Sequence, residues 1–174
     1  MSRFENLLAT VETYQALAAE NYDRIRKLAE DLSDGMCAYM QSGMGTCVHL
    51  VPPTGQFQPK PYGDKAFSLP PRGFRPLGPI AFGLAFRVTK GTDWLRVTME
   101  CHKRGDRFTV RIMNGEDYHF SLPLADADAL PFYEHIYDHV HNWFMDGIER
   151  YREGDATSRD IGFDFADADP GDAV

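Results

Sequence analysis

Between residues 80 and 122 apolar and polar positions alternate in four consecutive stretches, separated by Lys90-Gly91-Thr92-Asp93, Arg104-Gly105-Asp106-Arg107 and Met113-Asn114-Gly115-Glu116. Strict alternation marks strands with one buried face, and short glycine-containing connections mark hairpins. The pattern predicts a four-stranded antiparallel meander. A two-residue turn at Gly91-Thr92 sets Val88 opposite Leu95, Phe86 opposite Val97, Leu84 opposite Met99 and Phe82 opposite Cys101. A turn at Gly105-Asp106 sets Cys101 opposite Val110 and Met99 opposite Ile112. A two-residue Asn-Gly turn in the last hairpin would expose Phe120, because a one-residue slip sends every side chain to the other face. A three-residue loop, Asn114-Gly115-Glu116, instead pairs Val110 with Phe120 and Ile112 with Tyr118 and keeps one face wholly apolar.

A different period governs the N-terminus. Phe4, Leu7, Val11, Tyr14, Ala18, Asn21, Ile25, Leu28 and Leu32 recur at three-four spacing, which predicts a helix over residues 3–33. Leu8, Leu17 and Ala29 widen the stripe, and Ser33-Asp34-Gly35 offers a stop. The stripe fits either a helix lying on its own domain or a homodimeric seam in which Asn21 sets the register. Met36, Tyr39 and Met40 suggest one more helical turn before Gly43 and Gly45, and residues 46–51 read as a short strand.

From Pro52 to Pro79 the chain changes character. Eight of its eleven prolines fall there, with a local charge of +3 and with Phe57, Tyr62, Phe67 and Phe74 spread through the segment. Gly55–Gln58 could return on Val48–Val51 as a small hairpin, but proline keeps the segment out of a central strand. The C-terminal helix is expected over 131–152, with Pro131 in the first turn and a stripe of Phe132, Ile136, Val140, Trp143, Phe144 and Tyr151. Packed on the apolar sheet face, these elements make an α+β fold. It comprises an antiparallel meander of four to six strands, a C-terminal helix and a long amphipathic N-terminal helix.

Composition changes this picture little. A chain of 174 residues with 43% hydrophobic content suits one domain, here 1–152, followed by an acidic tail, 153–174. The tail holds seven acids against Arg159, so it accounts for −6 of the formal −8. Acidity is therefore a tail property and not a global field. Within the tail, Ile161, Phe163 and Phe165 alternate with small or acidic residues, a pattern suited to an added edge strand. Cys37, Cys47 and Cys101 form an odd set without repeating spacing, which points to reduced thiols and a cytoplasmic setting. No run approaches the roughly 18 apolar residues that span a bilayer.

Three constellations could carry chemistry. On the sheet face opposite the core, the expected register aligns Gly83, Glu100, Arg111 and His119 and sets Arg87 beside Arg96. Arginine anchors carboxylate or phosphate, histidine titrates near neutrality, and small Ala81, Gly83 and Ala85 would let a ligand, ring or backbone approach. His135 and His139 are four apart on the last helix, with Asp146 available as a third metal ligand, although Ile136 stands where the zincin pattern requires Glu. Cys47 and His49 share one side of a strand without an evident orienting group.

No nucleophile, base and orienter set is visible, so the leading expectation is a non-enzymatic interaction module of the adaptor, immunity or regulatory kind. It would act as a homodimer through the N-terminal helix. Lys60, Arg72, Phe74 and Arg75 of the basic loop and Phe163 and Phe165 of the tail are its expected contact residues. The partner is another protein or a second copy, with no cofactor and no membrane, and nucleic acid is not the expected partner. The alternatives are anion or small-molecule binding at the polar sheet face, as a binder or an enzyme, and metal binding by the helix histidines.

Overall fold

The computed structural model describes residues 1–41, 43, 45–113, 115–154 and 164–167. Helix α1 spans Arg3–Met40 and opens with a reciprocal cap: Ser2 Oγ accepts from Glu5 N at 3.1 Å while the Glu5 carboxylate accepts from Ser2 N at 2.6 Å. It runs past the expected stop at Gly35. That glycine is needed for a close approach and not for termination, since a Cβ there would collide with the Tyr133 hydroxyl of the second helix. The helix ends at Gln41, which takes the left-handed conformation and returns its N–H to Ala38 O.

Strands β1 (Val48–Val51), β2 (Ile80–Arg87), β3 (Asp93–Arg104), β4 (Arg107–Ile112) and β5 (Asp117–Phe120) form an antiparallel sheet in sequential order. The middle hairpin keeps the expected register, with Cys101 opposite Val110 and Met99 opposite Ile112. The outer two are displaced by two residues. Phe86 pairs with Leu95 and Phe82 with Met99; Val110 pairs with Tyr118 and Phe108 with Phe120. The first displacement comes from a wider turn, in which Val88 N reaches Asp93 O and Thr89 Oγ1 donates to Asp93. The second comes from a loop that closes one residue early, between Ile112 N and Glu116 O. A two-residue shift preserves which side chains face inward. Ile80, Phe82, Leu84, Leu95, Val97, Met99, Cys101, Phe108, Val110, Ile112 and Phe120 are accordingly all buried on one face.

Two helices cover that face. From α1 come Tyr22, Ile25, Leu28, Leu32 and Met36. Helix α2, Asp126–Glu153, starts five residues before Pro131, so the proline sits in its second turn and not its first. Asp126 and Asp128 favour the earlier start by facing the positive end of the helix dipole. Only Ala129, Phe132, Tyr133 and Ile136 of α2 are buried; of the expected stripe, Phe144 and Tyr151 stay largely exposed.

The proline-rich segment is docked, and it makes no hairpin at Gly55–Gln58. A short 3₁₀ turn at Gly63–Ala66 leads to Phe67, which bridges to Phe82 of β2 and meets the Tyr22 ring edge-on at 5.6 Å. Asn21 Nδ2 donates to Pro76 O and Gly78 O, holding this segment against α1. Finally β6, Asp164–Asp167, pairs antiparallel with Asp93–Arg96 of β3, beyond the point where β4 ends.

Candidate functional site

The second sheet face divides into a covered half and an open half. The covered half is organised by Arg96. Its side chain lies across Gly83, where a Cβ would sit 2.7 Å from Arg96 Cδ, so glycine there is a steric requirement. Arg96 Nη1 donates to Pro52 O at 3.0 Å and Gly55 O at 2.9 Å, and the guanidinium lies 4.7 Å from the Phe57 ring centroid. Arg96 Nη2 reaches Asp164 of β6 at 2.5 Å. The arginine is 2% exposed although its carboxylate partner is 67% exposed. Thr98 Oγ1 adds a bond to Pro53 O, and Val51, Phe57, Ala85 and Trp94 form a small second core beneath the loop. The small residues at Ala81, Gly83 and Ala85 thus admit the chain's own loop and an arginine stem.

The open half holds Glu100, His102, Thr109, Arg111, Asp117 and His119. The register shift breaks the expected row: Gly83 faces Thr98, Arg111 faces Asp117 and His119 faces Thr109, while Glu100 still faces Arg111. Arg87 faces Trp94 and Arg96 faces Ala85, so the expected arginine pair does not form. The Arg111 guanidinium bonds Asp117 at 2.9 and 3.3 Å and holds that carboxyl below the usual carboxylate range. His119 Nδ1 lies 2.9 Å from Thr109 Oγ1. Thr109 is fully buried, and around it Arg111, Asp117 and His119 form exposed cross-strand pairs with half-buried Glu100 and His102 beside them.

His135 and His139 stack with ring centroids 6.2 Å apart and lie beside a cleft of about 400 Å³ that Asp138, Asn142 and Asp146 also line. Among the described residues no group of three His, Cys, Asp or Glu side chains is placed to hold a metal ion. Burial, and secondarily His135, lowers the pKa of His139.

The cysteines correct another expectation. Because α1 continues to Met40, Cys37 stands beside Cys47 with Cα atoms 5.5 Å apart, and the two form a disulfide. Cys47 therefore faces Cys37, while His49 packs on Trp94 on the other sheet face at 5.3 Å, so the pair forms no nucleophile site. Burial pushes the remaining thiol, Cys101, up to about 12.

Of the expected contact residues, Lys60 lies over the Tyr62 ring at 5.4 Å and Arg75 over the Tyr22 ring at 4.3 Å, while Arg72 is exposed. Phe163 lies outside the described residues. Phe165 reaches the α2 aromatics Trp143 and Phe144, each at 6.5 Å between centroids.

A further exposed apolar surface lies on the first half of α1. Buried positions on α1 begin at Ala18. Ahead of it, Phe4 (70% exposed), Leu7 (60%), Leu8, Tyr14 and Leu17 stand open, and the exposed Phe74 and Leu77 of the loop extend the patch, Phe74 lying 6.0 Å from Tyr14. Glu5 and Glu12 are the only charged residues between 4 and 18, and being seven apart they share a position off this stripe. No described helix is long and apolar enough to cross a membrane. No protein-family model, curated protein or solved structure matches this chain.

Proposed function

We propose that this chain is a non-enzymatic interaction module that self-associates through the first half of α1. The observation that carries this reading is the exposed stripe Phe4, Leu7, Leu8, Tyr14 and Leu17, continued by Phe74 and Leu77. An isolated helix of about 15 residues is marginal in water, so this half gains from a partner along its apolar side. A stable specific interface needs at least about 600 Å² buried per chain, and this stripe with Phe74 and Leu77 is the surface that would supply it. Nothing polar interrupts the stripe before Asn21, whose amide nitrogen donates within its own chain.

Anion or small-molecule binding around Glu100, Arg111 and His119 has less support. Arg111 is already paired with Asp117, and Arg96 with backbone carbonyls and Asp164.

Sedimentation equilibrium tests the proposal. The protein is expected at twice its 19.7 kDa chain mass, and Leu7→Lys is expected to return it to the monomer without changing its circular dichroism spectrum. A monomeric profile across the whole concentration range overturns it.

A further inference from the structure

Strand β3 is twelve residues long, but β4 covers only its second half, from Met99 to Arg104. Met113 N bonds Thr98 O just before the chain turns away. The edge of Asp93–Arg96 is left for another strand, and the segment that takes it is Asp164–Asp167. An open edge of this kind is a template for any extended chain, and side-chain pockets decide which one it accepts.

Here both flanks are specified. Residues adjacent in an extended strand face opposite sides. Asp164 meets Arg96 on the second face, and Phe165 meets Trp143 and Phe144 on the first. The electrostatic demand is strict, because Arg96 is 2% exposed and Asp164 is its acidic partner among the described residues. Its Nε has no partner among them, and Nη1 reaches only neutral carbonyls. A buried cation stripped of its counter-ion is strongly disfavoured, so an occupant that lacks a carboxylate at this position is rejected. A cleft of about 540 Å³ lined by Gln56, Phe57, Gln58, Arg96 and Ala166 leaves room beside the small Ala166 for a bulkier residue.

The described residues of the tail sit shallowly in the slot: four of them pair, Phe165 is 48% exposed and the Asp164 side chain is 67% exposed. We infer that the Asp93–Arg96 edge is a strand-acceptor site for an extended segment of a partner protein carrying a carboxylate directly before an aromatic residue. The chain's own tail acts as an internal competitor. This inference is independent of self-association through α1.

Fluorescence polarisation with a labelled peptide of residues 161–170 tests it. Covalent attachment holds the tail's own strand at the slot at an effective concentration on the order of 1 mM, so the wild-type chain should bind the peptide weakly. The full-length double variant Asp164→Asn, Phe165→Ala frees the slot and should bind at least tenfold more tightly. A peptide with the Asp164→Asn change should lose at least tenfold on that variant. Hydrogen exchange at residues 93–96 should rise in the variant and fall again with peptide, a readout that does not depend on Arg96 substitutions folding. Equal affinity of wild type and variant, or no saturable binding to the variant, overturns the proposal. So does a loss of assembly mass in the variant, which would assign the slot to the tail of a second copy.

Discussion

The two halves of α1 carry the same three-four spacing of apolar residues and meet opposite surroundings. From Ala18 to Met36 the stripe is buried against the sheet, with Ile25, Leu28 and Leu32 fully enclosed. From Phe4 to Leu17 the equivalent positions face solvent. Polar neighbours differ as well. The second half is laced outside by Glu20–Arg24, Arg26–Glu30 and Lys27–Asp31 pairs and tied to the loop through Arg26–Asp64. The first half has no such ion pair among the described residues; its polar bonds are the cap and the Thr10 and Thr13 hydroxyls donating to Asn6 O and Ala9 O. Amphipathicity thus defines a helix and its sticky side but is silent about what that side meets. The body of this domain is simply shorter than its first helix.

The contrast is tested most strongly by truncating one leucine in each half. Leu28→Ala empties a fully enclosed site and is expected to cost about 2–5 kcal/mol in chemical denaturation. Leu7→Ala, measured in dilute monomer, is expected to stay within about 0.5 kcal/mol of wild type. Comparable losses from the two would mean that the first half is packed within its own chain.

A smaller effect with an unusual sign is expected at Gly35. Glycine-to-alanine changes inside helices ordinarily stabilise by about 0.5–1 kcal/mol. Gly35→Ala instead meets the Tyr133 ring and hydroxyl, and overpacking of this kind costs about 1–3 kcal/mol. A raised melting temperature for Gly35→Ala would show that α1 and α2 do not approach as closely there.

The smallest effect concerns alkaline stability of the buried half. Burial, reinforced by the hydrogen bond to Asp64, pushes the Tyr22 hydroxyl up to about 12 from 10.0. Between those values the folded state holds a proton that the unfolded state has released, so stability falls as pH rises through this window. Tyr22→Phe is expected to flatten that part of the stability–pH profile, read from urea midpoints at pH 9.5, 10.5 and 11.5. An unchanged slope would place Tyr22 ionisation outside the folding equilibrium.

Period and parity were legible in the chain itself. Alternation in 80–122 identifies the strands and the inward face of each, and three-four spacing identifies both helices. The inward set survives even where the outer hairpins are displaced by two residues, because burial of one face rejects odd shifts and tolerates even ones. The small residues at Ala81, Gly83 and Ala85 signalled a close approach to the second face; of the alternating tail residues Ile161, Phe163 and Phe165, the last lies in β6 on this sheet, and the other two are outside the described residues.

What the tertiary structure alone decided lies where distant segments compete for one surface. Whether Gly35 ends a helix or admits a tyrosine depends on α2, about a hundred residues further along the chain. Whether Arg96 is solvated or enclosed depends on Pro52, Gly55, Phe57 and Asp164, none of them its sequence neighbours. Cys37 and Cys47 become partners because α1 outruns its local stop signal and the chain doubles back at once. Local propensities amount to tenths of a kcal/mol to about 1 kcal/mol per residue, and burial of a single large side chain outweighs them. Helix ends, hairpin registers and the choice of counter-ion are therefore settled by packing.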